Sequence, residues 1–358
     1  MSAIGEEFSG TMAVQERLAF DVGRLEDYLR RHIDGFSGNL RVEQFKGGQS
    51  NPTYKLTAGT SQYVLRRKPP GVLLPSAHAV DREYRVITAL ERAGIPVARS
   101  RALCTDQSVI GTAFYVMDFV DGRVYWDQSL PGMSKSARAA IYDEMNRVIA
   151  ALHRVDYEAI GLADYGRPGN YFARQIGRWT RQYRASETEK IEAMDDLIAG
   201  LPENIPAGEE TSVVHGDYRM DNLIFHPSEP RILAVLDWEL STIGHPLADF
   251  SYHCMSWHIT PQQFRGIGGL DLASLGIPSE AEYIRTYCSR TGRGRIEHWD
   301  FYLAYNLFRM AAILQGIMGR AQDGTAASPD ALDIGRRARP LAELGWKMAR
   351  EVIAGERS

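Results

Sequence analysis

Two stretches constrain this chain more than any others: His215-Gly216-Asp217-Tyr218-Arg219-Met220-Asp221-Asn222, and Ala234-Val235-Leu236-Asp237-Trp238-Glu239. Short apolar runs of strand type surround them at 212–214, 223–225 and 232–236, with the turn formers His226-Pro227-Ser228-Glu229-Pro230 between the last two. Asp217 and Asn222 therefore bracket one loop, and Asp237 ends a neighbouring strand. Such an arrangement gathers three oxygen-bearing side chains, as a magnesium ion bridging phosphates requires, because that ion keeps waters and takes few protein ligands. Each residue alone is an ordinary turn or strand-end residue. The three in this order point to phosphoryl transfer, with Asp217 accepting a hydroxyl proton and Asn222 and Asp237 holding metal.

The N-terminal part supplies what such a centre needs on the phosphate side. Leu18, Val22, Leu25 and Leu29 recur at helical spacing between Glu16 and His32. Then Arg41–Phe45, Lys46–Asn51 and Thr53–Leu56 read as strand, glycine-bearing turn and strand. Gly47 and Gly48 let backbone N–H groups approach phosphate oxygens, Ser50 adds a hydroxyl, and Asn51 closes the turn; equally, a glycine-bearing hairpin can be only a hairpin. Tyr63–Lys68 continues as a third strand with Val64, Arg66 and Lys68 on one face. A helix beginning near Ser76 carries Val80, Glu83, Ile87 and Leu90 on one stripe and stops at Gly94 and Pro96. Glu83 thus falls within an apolar face, where a carboxylate demands a cation, Arg66 or Lys68. A solvated edge of Arg66, Arg67 and Lys68 is the alternative.

Further along, Val109-Ile110 and Ala113–Met117 read as two strands around Gly111-Thr112. Ile141, Met145, Val148 and Leu152 form a helical stripe ending at His153, read as a capping or core histidine. The next helix turns Phe172, Ile176, Trp179 and Tyr183 inward and carries Arg174, Arg178 and Arg181 on its other side. This row is a solvated face or, with Arg219, a holder of an anionic substrate. Asp249 is placed to tie backbone donors of the 215–222 loop. His253 and His258, five apart, do not share a helical face and make a poor metal pair. The remainder reads as helices near 283–284, 301–318 and 331–353.

Composition excludes several classes. A formal net charge of −4 gives no pull toward nucleic acid or an anionic membrane. The three cysteines, Cys104, Cys254 and Cys288, are scattered and lack paired metal spacing, which suits a reducing compartment. The longest apolar stretch contains Asn306, Arg309 and Gln315, which favours a core helix over a membrane span. With no basic-then-apolar leader at the start, a cytoplasmic location is expected.

The stretches FKGGQSNPTY, YVLRRKPPGVLLPSAHAVDREYRV, HGDYRMDN and LDWELSTIGHPLAD, spread from about Val42 to Asp249, resemble the aminoglycoside phosphotransferase-like kinases. They look most like the subgroup found attached to certain acyl-CoA dehydrogenases. The resemblance implies an α+β, bilobal protein-kinase-like fold: an N-terminal lobe of antiparallel sheet plus helix at 1–119 and a mainly helical C-terminal lobe at 120–358. It also implies ATP and Mg²⁺ as cofactors and a small-molecule hydroxyl, such as that of a hydroxyacyl-CoA, as acceptor. On that template Asp217 is the catalytic base and Arg66 with Glu83 positions phosphates. Gly47, Gly48, Ser50 and Asn51 cover the phosphates, Val64, Met117 and Phe119 contact the nucleotide, and Arg219, Arg174 and Arg178 face the substrate.

Two departures stand out. The family commonly has lysine where this chain has Arg66, which leaves Arg66 and Lys68 both open as the phosphate contact. The phosphate loop lacks the protein-kinase glycine triplet, so ATP and GTP both remain open. An acyl-CoA dehydrogenase partner is expected as a separate protein; oligomeric state is not legible. Rival functions are an antibiotic kinase acting on aminoglycosides, which would want carboxylates rather than arginines around a polycation, and a pseudokinase-like module that binds nucleotide or acyl-CoA without turnover.

Overall fold

Alternation of apolar residues lays most of the N-terminal part into strands. In the computed structural model, residues 10–46, 51–71, 79–325 and 330–355 are described; Gly47, Gly48 and Ser50 lie outside them. The elements run β1 (Thr11–Met12), α1 (Val22–His32), β2 (Leu40–Phe45), β3 (Thr53–Ala58), β4 (Ser61–Arg67), α2 (Val80–Arg92), β5 (Ser100–Cys104) and β6 (Phe114–Asp118). Then come α3 (Lys135–His153), α4 (Tyr171–Ala185), α5 (Glu192–Gly200), β7 (Ser212–Val214), β8 (Leu223–Phe225), β9 (Ile232–Val235) and β10 (Thr242–Gly244). The principal helices that follow are α6 (Pro246–Cys254), α7 (Glu280–Thr291), α8 (Trp299–Gln322) and α9 (Ala338–Gly355).

The chain forms two compact units. The first comprises Met1–Asp127, Glu158–Leu162 and Arg219–Ser241. Its six-stranded sheet, in the order β1-β2-β3-β4-β6-β5, is antiparallel throughout. One face packs on α1 through Leu25, Leu29, Tyr54, Leu56 and Phe114, each essentially inaccessible. Burying side chains of this size contributes about 1.5–3 kcal/mol apiece. The β8–β9 hairpin returns to the same unit, where Val235 N donates to Pro96 O at 2.8 Å and Arg123 bridges Phe225. Backbone pairing here groups segments that the sequence holds far apart.

The second unit, Gln128–Tyr157, Ala163–Tyr218 and Thr242–Ser358, is mainly helical. Its centre is α8, buried nearly all round from Phe301 to Gly316 and packed against α4, α6 and α9. A buried polar donor needs an acceptor, and Asn306 Nδ2 finds two, Ala248 O (2.9 Å) and Ser251 Oγ (2.7 Å). Across the unit, Asn146 of α3 donates to Tyr283 O of α7 at 2.9 Å, and Arg290 grips Asp143 with two bonds.

Local readings needed correction at three places. The strand expected at Val109-Ile110 is the end of a one-turn helix, Gln107–Ile110: the Asp106 carboxylate caps it by accepting Ser108 N at 2.8 Å, and Gly111 ends it at φ 85°. The strand beside β6 is instead β5, since an apolar pair such as Val109-Ile110 cannot by itself separate strand from helix. The helix expected from Glu16 breaks into a 3-10 turn at Glu16–Leu18, and α1 starts afresh after Asp21, whose side chain accepts Arg24 N. Finally, Thr242–Gly244 pairs with β7 as a strand, too short to show an alternating pattern in the sequence.

Candidate active site

In the first unit a cation sits where the helix pattern demanded one. Arg66 is directly opposite Tyr115 in the β4–β6 pair. Its Nε lies 2.8 Å from Glu83 Oε2, with both side chains buried. Tyr115 OH donates to Glu83 Oε2 at 3.0 Å and Asn51 Nδ2 to Oε1 at 2.8 Å. Burial pushes the Glu83 carboxyl up, against the pull of Arg66. Burial also opposes the Arg66 charge, but Glu83 and Asp237 more than offset it and raise its pKa. The other end of the guanidinium, Nη2, donates to Asp237 Oδ1 at 2.8 Å and Glu239 Oε2 at 3.3 Å. Lys68 instead approaches Asp81, 3.9 Å away near the surface. Of the two cations left open by the sequence, Arg66 is the partner of Glu83.

Val64 and Met117 lie opposite one another on β4 and β6, both buried. Phe119 follows β6, with Lys55 Nζ 4.4 Å from its ring centre. Asn222 and Asp237 stand at the facing ends of the β8–β9 hairpin, where Leu236 N donates to Asn222 O at 2.8 Å. Asp237 has φ 61°, a left-handed conformation uncommon outside glycine but tolerated by Asp and Asn. Among the described residues no cluster of three or more His, Cys, Asp or Glu is poised around a metal. An amide oxygen and a carboxylate are nevertheless a donor set suited to magnesium, which completes its shell with water and phosphate oxygens. Arg219 approaches Asp221 in this unit, Nη2 to Oδ2 3.4 Å.

In the second unit the loop after β7 is pinned from below. His215 N and Gly216 N donate to the two oxygens of Asp249 at 2.7 and 2.8 Å. Gly216 turns the chain at φ 82°, and Asp217 N donates to His215 Nδ1 at 3.1 Å. Asp249 is fully enclosed; burial favours its neutral form, but His153 at 3.2 Å and the His215 N–H outweigh this and hold its carboxyl below the usual value. His153 extends the chain to Tyr287 OH at 2.7 Å. It is a core histidine with a specific task, orienting Asp249. The Asp217 carboxylate, half-buried, accepts a 2.5 Å bond from Tyr252 OH. Neither Tyr252 nor Arg309, which holds Gly216 O, was singled out for the site by sequence; an arginine in the middle of the apolar stretch of α8 was the available signal.

The arginine row divides. Arg174 donates to the carbonyls of Gly169 and Arg167, closing the loop before α4, whereas Arg178 is exposed with its guanidinium 5.3 Å from the Trp179 ring.

The model of the phosphotransferase enzyme family (APH) matches residues 41–299. The chain belongs to that family. A mouse protein named acyl-CoA dehydrogenase family member 10 is 47% identical over 343 residues, covering 95% of this chain and 32% of its own length. This phosphotransferase-family chain therefore spans about a third of that relative. A candidate aminoglycoside phosphotransferase of Ralstonia eutropha jmp134 superposes with a TM-score of 0.87 at 63% identity, covering 93% of this chain and 99% of that one. Spectinomycin phosphotransferase, solved with ADP and spectinomycin, shares the fold at 11% identity, with a TM-score of 0.61 over 92% of this chain and 98% of its own. The fold is thus the α+β kinase-like fold of small-molecule phosphotransferases. No helix among the described residues is long and apolar enough to cross a membrane.

Proposed function

We propose that this family member transfers the γ-phosphoryl group of ATP, with Mg²⁺, to a hydroxyl of a small anionic acceptor, a hydroxyacyl-CoA. Asp217 takes the proton as the acceptor oxygen bonds to the γ-phosphorus and the bond to the bridging oxygen breaks, releasing ADP. Arg66, held by Glu83, faces the phosphates, and the buried apolar pair Val64 and Met117 contacts the base. Asn222 and Asp237 hold magnesium, whose charge neutralises the phosphate oxygens. The observation that carries this reading is Arg66 fixed at one end by Glu83 and turned at the other toward Asp237. The acyl-CoA class is supported by the mouse relative's name, and an anionic acceptor by Arg178 and Arg181 exposed on α4.

The test is ADP release with ATP or GTP over a panel of hydroxyacyl-CoAs, aminoglycosides and choline, with the position of the new phosphate read by phosphorus NMR. A hydroxyacyl-CoA should turn over with ATP, and Asp217→Asn should lower kcat by about 10²-fold or more with nucleotide binding retained. Transfer to an aminoglycoside alone would overturn the acceptor class. Nucleotide binding without turnover on any acceptor would make this a binding module.

A further inference from the structure

Arg309 is a full positive charge inside the second unit, 6% exposed, on a largely apolar helix. Its Nη2 donates to Gly216 O at 2.6 Å, at the peptide that leads into Asp217. Its guanidinium also lies 4.9 Å from the ring centre of Tyr252 and 5.6 Å from that of Trp179. Tyr252 in turn donates its hydroxyl to Asp217 Oδ1 at 2.5 Å. Enclosing a guanidinium is costly unless charge and hydrogen bonding offset the lost water. Here two aromatic faces and one carbonyl offset that cost. Burial works against the charge, but Tyr305, Tyr252, Tyr171 and Asp217 around it more than compensate and raise its pKa.

We propose that Arg309 and Tyr252 are positioning residues for Asp217. Arg309 fixes the Gly216 carbonyl and the Tyr252 ring in one step, and Tyr252 fixes the carboxylate rotamer. This rests on the reading of Asp217 as the base. Asp249 holds the loop through the N–H groups of His215 and Gly216, whereas the Arg309 and Tyr252 pair acts on the carbonyl and carboxylate that follow. Lysine cannot replace the arginine fully, since only a planar guanidinium stacks on two rings while donating in its plane.

The experiment compares wild type, Tyr252→Phe, Arg309→Lys and Arg309→Met by thermal melting, by kcat and KM for nucleotide and acceptor, and by crystal structures. Tyr252→Phe, which conserves volume, should melt as wild type does, lose about tenfold or more in kcat as expected for one lost bond to a charged group, and keep its nucleotide KM. Its Asp217 carboxylate should leave the wild-type rotamer. Arg309→Lys should recover part of the kcat that Arg309→Met loses. Retention of the Asp217 rotamer in both Tyr252→Phe and Arg309→Lys overturns the proposal, whether or not an acceptor has been found; so does unchanged kcat in both. If wild type turns over no acceptor while the carboxylate still swings in Tyr252→Phe, the positioning stands and the functional reading fails.

Discussion

Asp249 Oδ2 accepts the backbone N–H of His215 at 2.7 Å, deep inside the second unit. Together with the bond from Gly216 it sets the path of the chain into Asp217, so a residue 32 positions later in sequence decides where that carboxylate begins. Asp249→Ala leaves two buried N–H groups and His153 without their acceptor. An unsatisfied buried donor costs about 1–3 kcal/mol, so a loss of roughly 3 kcal/mol or more is expected in urea denaturation. Asp249→Asn, which keeps an acceptor oxygen, should lose less.

Arg66 and Glu83 should show the asymmetry of a buried pair. Arg66→Met abandons Glu83 in an apolar site and is expected to cost about 3–5 kcal/mol, while Arg66→Lys keeps the charge but not the fork that reaches both Glu83 and Asp237. Calorimetric titration with nucleotide should show weaker binding in both, and thermal melting should separate them. Equal melting temperatures for wild type and Arg66→Met would refute a structural role for the pair.

The metal-ligand role proposed for Asp237 falls on a residue with a left-handed backbone. Asn tolerates that conformation, so Asp237→Asn should fold normally yet need about tenfold or more Mg²⁺ for half-maximal ADP release, a figure set by one lost ionic ligand contact. Asp237→Ala should in addition lose about 1–2 kcal/mol to backbone strain. Chelation with EDTA should abolish transfer, and added Mg²⁺ should restore it.

Two buried histidines make stability depend on pH. Burial depresses His245 and His253 to about 4, from an ordinary value of 6.5. Their folded-state pKa lies below the unfolded one, so the unfolded chain binds more protons between these limits. Stability is therefore complete above about pH 6.5 and declines as pH falls toward 4, by up to roughly 3 kcal/mol per histidine. Urea midpoints at pH 7.5, 5.5 and 4.5 measure this. His245→Asn keeps an N-cap acceptor for Leu247 N and should flatten the slope.

Much of this organisation was legible because local chemistry leaves traces in spacing. The stripe Val80, Glu83, Ile87 and Leu90 lies on the buried side of α2, and the need of Glu83 for a cation followed from burial alone. Turn formers at His226–Pro230 marked the β8–β9 hairpin. Spacing failed where an element is too short to show a period, as at Gln107–Ile110 and Thr242–Gly244.

The amino-acid order by itself determined the kinase-like class and the identity of the oxygen side chains, since loop length and residue type are local properties. Only the tertiary structure chose Arg66 over Lys68 for Glu83, gave His153 to Asp249, and brought Tyr252 and Arg309 to the peptide and carboxylate at Asp217. Those pairings join residues up to 96 positions apart, and no short-range pattern encodes them. They arise because buried polar groups must find partners wherever packing brings them together.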